Sequence, residues 1–155
     1  MKLLVDTCVF VDTFDQNSSN YSDSLKLLEE LRNRNQLITM PAHAMFEILC
    51  TLNRLTIENR FNGPIFSNKM DYLIELIHID DKFIDKYAMV EIPYIKAGDH
   101  IFVVVAKVNN YPLISSDSKM IEVCKKCGVN IYTPKEYFNY LINPSPEIKK
   151  NDSNW

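Results

Sequence analysis

The sequence is short of basic charge, of long apolar runs and of paired metal-binding cysteines, and each shortage excludes something. Its 155 residues carry 17 Lys and Arg against 20 Asp and Glu, for a net charge of −3. A general nucleic-acid coat carries a clear basic excess instead. Even so, a cluster of four carboxylates neutralised by metal would turn that −3 into a single positive charge, so an anionic substrate stays open. No stretch approaches the roughly 18 apolar residues of a membrane helix. The apolar run before Asp6 is only three residues long, too short for a secretory signal. A soluble, cytoplasmic protein with no membrane partner is expected. Cys124 and Cys127 form a lone CxxC, with no second pair and no histidine pair at zinc spacing. They fall in a helix expected to end at Gly128, where cysteines so spaced are ordinary core or surface residues. Internal repeats are lacking as well.

What is present is a core. With 46% hydrophobic content the chain makes one domain of ordinary size, expected over residues 1–142. A tail, 143–155, rich in Pro, Ser, Asn and Lys, is expected to be loosely held. The run Leu3, Leu4, Val5 stops at the carboxylate of Asp6. Such a run reads as a strand buried on both faces, at the centre of a parallel sheet.

The rest alternates. A loop rich in Asp, Asn and Ser occupies 12–24, and Ser22 is placed to cap a helix over 22–35 with Leu25, Leu28 and Leu31 at helical spacing. A strand is expected over 36–40. Pro41 then opens a helix reaching to about residue 59, with Met45, Phe46, Leu49 and Leu52 as its apolar face. Asn62-Gly63-Pro64 breaks the chain. Met70, Leu73, Ile74 and Ile77 suggest a helix over 65–78, followed by a short strand near Ile79 and a helical turn or two through Ile84 and Tyr87. The apolar segment 99–109 has the β-branched content of a strand, but alternating β/α order wants a buried helix there. A strand over 112–116, a helix over 118–127, a strand over 129–132 and a helix over 134–141 complete an α/β chain. The alternation reads as a three-layer α/β/α sandwich around a central parallel sheet.

Two of these strands end at an aspartate, Asp6 and Asp117. Asp99 stands at the start of the buried helix, and Glu47 lies on a stripe with Thr51 and Arg54, off the apolar face. Singly, each acid has a bland explanation as a helix cap or a solvated surface group. Parallel topology, however, brings strand ends and helix starts to one edge of the sheet, where open α/β folds place their chemistry. Carboxylates crowded there raise one another's pKa. Hard divalent ions such as Mg²⁺ or Mn²⁺ relieve that repulsion and activate water for phosphodiester cleavage.

The ordered set Leu-Leu-Val-Asp6-Thr-Cys-Val-Phe, His-Ala-Met-Phe-Glu47, Gly-Asp99-His-Ile-Phe-Val-Val-Val-Ala and Leu-Ile-Ser-Ser-Asp117 resembles the PIN-domain nucleases, and within them the VapC-type toxins of toxin–antitoxin pairs. The resemblance spans residue 3 to about 132. It implies sheet order 3-2-1-4-5 and a metal-dependent endoribonuclease, often a homodimer. Asp6, Glu47 and Asp99 would be the principal metal-site acids and Asp117 would complete the cluster. Ser115 matches a position usually held by Thr or Ser, and with Thr7 is expected in support. The resemblance also implies a small antitoxin partner, with the helices over 22–35 and 65–78 as docking surfaces. The family usually has small residues around Asp99, where this chain has Phe and Val, and the tail has no counterpart.

Arg54, His100 and Lys119 are possible RNA contacts, each with an ordinary surface role as its rival. Asp12 and Asp15 could add a fifth acid, although solvation in a loop explains them equally. His43 and His78 read as structural. Two other functions stay open: an RNA-processing PIN nuclease outside any toxin system, and a non-catalytic PIN-fold binding module. A receiver domain fits poorly, since Thr7 stands where it needs an acid. A haloacid-dehalogenase-type phosphatase needs an acid at the position of Cys8.

Overall fold

A computed structural model of the chain describes residues 2–61 and 72–143. The expected tail lies outside the described residues apart from Asn143. At the centre is β1, Leu3–Val5, whose three side chains are fully buried. It pairs in parallel with β2, Ile38–Pro41, and with β4, Leu113–Ile114. Outside these run β3, Ile74–Ile77, and β5, Ile131–Tyr132, giving a five-stranded parallel sheet of order β3-β2-β1-β4-β5. The order 3-2-1-4-5 is the one expected.

Seven helices flank the sheet among the described residues. They are α1 (Thr7–Val11), α2 (Tyr21–Asn33), α3 (Ala42–Ile57), α4 (Asp81–Tyr87), α5 (Ala97–Asn109), α6 (Ser118–Cys127) and α7 (Pro134–Ile142). Crossovers between parallel strands are right-handed. The chain winds from β1 outward to β3, then jumps back past β1 to β4 and β5, so the two series of helices cover opposite faces. Accordingly α1 packs on α3, α2 on α7, and α5 on both α4 and α6. The result is the α/β/α sandwich. None of the described helices is long and apolar enough to cross a membrane.

Three expectations change. The helix expected over 65–78 is a strand at its described end, where Ile74–Ile77 pairs in register with Ile38–Pro41. Apolar residues at 74 and 77 satisfy a helical period, but Ile-Glu-Leu-Ile also suits an edge strand. There Glu75 takes hydrogen bonds from Lys2 Nζ (2.7 Å) and Thr39 Oγ1 (3.3 Å). The strand expected near Ile79 therefore lies earlier, and residues 62–71 lie outside the described residues. Second, the residues after Asp6 fold at once into α1 and a 3₁₀ turn, Asp12–Phe14, and α2 is preceded by Asn20 in place of a Ser22 cap. Third, Pro41 ends β2 and caps α3 instead of opening it. The buried face of α3 is Ala44, Ile48 and Leu55, flanked by Met45 and Leu52, whereas Phe46 is 69% exposed.

The buried-helix reading of 99–109 holds. Phe102 to Ala106 are all buried between the sheet and the neighbouring helices, so tertiary packing overrides β-propensity. Gly128 closes α6 at φ +74°, a left-handed value that L side chains adopt at a cost.

Candidate active site

The strand order reverses between β1 and β4. Open α/β sheets form a crevice there, beyond the carboxyl ends of the strands. β1 delivers Asp6 to that point. Asp6 is 5% exposed, and its Oδ2 accepts hydrogen bonds from Ser115 Oγ (2.7 Å) and Cys8 Sγ (2.9 Å). Burial pushes Asp6 above the usual carboxylate range, opposed by the Cys8 and Ser115 bonds, while the charge of Asp117 adds to the rise.

β4 delivers Ser115, Ser116 and Asp117. Asp117 caps α6, with Oδ1 accepting the Met120 N–H at 2.7 Å. The cap uses one oxygen and leaves the second for other work. Ser115 Oγ also accepts the Asp117 N–H at 3.0 Å, so one hydroxyl ties together the ends of β1 and β4.

Asp99 sits in the first turn of α5, two residues in from Ala97, with Lys96 in the capping position. Its carboxyl is raised first by burial, then by Asp6 and Asp117, with Glu47 adding a smaller push and Lys96 pulling the other way. Asp99 thus feels all three other acids. Glu47 is exposed on α3 and accepts a hydrogen bond from Thr7 Oγ1 at 3.2 Å.

Four expected acids face one region, but they do not close on a point. Among the described residues, no three His, Cys, Asp or Glu side chains form a metal-binding group. The donor chemistry still fits a hard divalent cation. All the oxygens are carboxylate or hydroxyl, the acids repel one another, and Mg²⁺ commonly keeps several waters while using only one or two carboxylates directly.

Cys8 is the residue that sequence reasoning missed. Its thiol donates to Asp6 and accepts from Ser116 Oγ at 3.2 Å, and Ser116 Oγ lies 2.9 Å from Asp12 Oδ2. Burial, reinforced by Asp6, pushes the thiol up to about 12, so it works as a neutral hydrogen-bonding group. Asp12 joins the network behind Asp6 by this route. Asp15 does not, because its Oδ1 is taken up by the Asn17 backbone and side chain.

Arg54 is exposed on α3, seven residues beyond Glu47, and His100 follows Asp99 in the first turn of α5. Lys119, two residues past Asp117, has its Nζ 5.5 Å from the centre of the Tyr94 ring. His43 lies edge-on to Phe102, and its buried Nδ1 finds no hydrogen-bond partner among the described residues. His78 is exposed just past β3.

A doubly wound parallel sheet with acids gathered at its switch point defines an α/β protein built for chemistry at the carboxyl ends of its strands. The PIN domain family matches residues 3–126, and the chain belongs to that family. PIN domains are generally nucleases and typically use divalent metals, which supports a hydrolase acting on nucleic acid. Among curated proteins, none matches the chain.

Proposed function

We propose that the protein is a divalent-metal-dependent endoribonuclease in which Asp6, Glu47, Asp99 and Asp117 hold Mg²⁺ or Mn²⁺. The observation that carries this reading is the mutual field of the four acids, seen most plainly at Asp99. Capping of α6 accounts for Asp117 alone, and a shared cation would offset the repulsion among all four carboxylates. Bound there, a divalent cation would lower the pKa of an attacking water and offset charge on the scissile phosphate.

The chain's own residues do the holding. Ser115 and Cys8 fix the Asp6 carboxylate, Thr7 orients Glu47, and the α6 cap orients Asp117. Lys96 provides positive charge beside Asp99, which favours the approach of a phosphate backbone. The test is cleavage of RNA by purified protein with Mg²⁺ or Mn²⁺, lost in EDTA and in Asp6→Asn. Absence of cleavage with either ion, or undiminished cleavage by Asp6→Asn, would refute it.

The finer reading is the toxin of a type II toxin–antitoxin pair, homodimeric, cytoplasmic and covered by a small antitoxin. It is supported by the motif resemblance together with family membership. Leu27, Leu28 and Leu31 of α2 are spent on the chain's own core, so α2 offers a partner the polar row Ser22, Lys26, Glu29 and Arg32. A short reading frame beside this one, encoding a protein that blocks cleavage, would establish the pair. Its absence would favour an RNA-processing nuclease. The open spacing of the acids favours one further reading, a PIN-fold binding module without catalysis. Calorimetric titration with Mn²⁺ separates the two, since the binding module would take up no metal.

A further inference from the structure

Tyr94 is 83% exposed, an unusual position for a large aromatic ring, and it stands in the segment leading into α5 five residues before Asp99. It is held there. Lys119 Nζ lies 5.5 Å from the ring centre, close enough for a cation–π attraction. Lys119 belongs to the first turn of α6, whose cap is Asp117. The pair therefore links the segment just before α5 to the first turn of α6, the two helices whose starts carry Asp99 and Asp117.

Two properties follow from this placement. A ring so exposed, with a cation on it, has room for a second flat partner, and every nucleobase has a π-face to offer. The ammonium that steadies the ring is also within reach of whatever phosphate follows a stacked base. Lys96 adds a second cation in the same stretch of chain, beside Asp99.

We propose that Tyr94 and Lys119 form a nucleotide subsite of the cleft, Tyr94 stacking on one unpaired base and Lys119 holding the adjoining phosphate. The subsite rests on the nuclease reading for its purpose but not for its test. Stacking requires a base out of its helix, so the subsite selects strands that are unpaired at that position.

The experiment measures binding of the full chain to a labelled, unstructured oligoribonucleotide, to an abasic strand of the same length and to a duplex. Anisotropy is read with Ca²⁺ in place of the cleavage ion, and the strands are checked for integrity afterwards. Tyr94→Ala is expected to weaken binding to the base-bearing strand about ten-fold, within the range found for single stacked bases. It should leave the abasic strand unaffected, with Tyr94→Phe restoring affinity. Lys119→Ala is expected to weaken both strands and to flatten the salt dependence. Met89→Ala is the control. That side chain is 90% exposed in the same segment but lines a cleft with Lys126 and Cys127 at the far end of α6. Equal binding of wild type and Tyr94→Ala to the base-bearing strand, or equal loss on the abasic strand, would overturn the subsite and leave Tyr94 as a protein-docking side chain. Base-dependent loss in a protein that cleaves nothing with Mg²⁺ or Mn²⁺ would uphold the subsite while sinking the nuclease reading.

Discussion

Asp6 shows how one residue can cost stability and still fix the design of a site. Its folded-state pKa is raised above the usual carboxylate value by burial. A raised acid contributes stability that is fully present below its unfolded pKa and is lost as pH rises through the folded value. Ionised Asp6 is therefore a liability at neutral pH when no cation is bound. In EDTA at pH 7, Asp6→Asn is expected to raise stability, read as a higher Tm than wild type. The gain should vanish below about pH 4, where the wild-type acid is neutral in both states. Thermal melts across that pH range check it, and a variant less stable than wild type at pH 7 would contradict it. Asp6 was legible in the sequence because an apolar strand that stops at a carboxylate is a local signal. Cys8 was not, because a thiol donating to a carboxylate leaves no mark in spacing or composition.

At the scale of elements, α7 depends on its start. Thr133 Oγ1 accepts the Glu136 N–H at 3.2 Å while Glu136 Oε2 accepts the Thr133 N–H at 2.7 Å, a reciprocal capping box ahead of Pro134. Thr133→Ala is expected to cost about 1 kcal/mol. Because α7 packs on α2, on the face away from α5 and α6, cleavage kinetics should be unchanged. Chemical denaturation alongside a cleavage assay tests both halves, and a fall in activity without a fall in stability would count against it. Elements with strong boundaries were readable in the same way. Gly128 closes α6, Thr133-Pro134 opens α7, and the end of each preceding strand is sharp. β3 was misread because Ile74 and Ile77 fit two periods at once, and only pairing with β2 decides between them. α1 was missed because Thr, Cys and β-branched Val in a five-residue run give no helical period, and nothing in the sequence shows that Val9 and Phe10 will be buried.

For the molecule as a whole, the proposed metal centre would couple folding to metal binding through the same carboxylates. A ligand that binds only the folded chain stabilises it by mass action, about 2.7 kcal/mol at one hundred times its Kd. Mn²⁺ is therefore expected to raise Tm in a concentration-dependent way, and Asp99→Asn to shrink that rise. A Tm indifferent to Mn²⁺ would argue against a metal centre without any appeal to RNA. The sheet order was readable through family resemblance, since periodicity alone yields strands but not their neighbours. That order also has a kinetic consequence. Asp6 and Ser115 hydrogen-bond across 109 positions of chain, because the first strand is the central one and waits for β4. Contacts so distant in sequence form slowly, after much chain entropy has been lost. The acidic centre is therefore among the last features to assemble, and an incompletely folded chain holds these carboxylates apart.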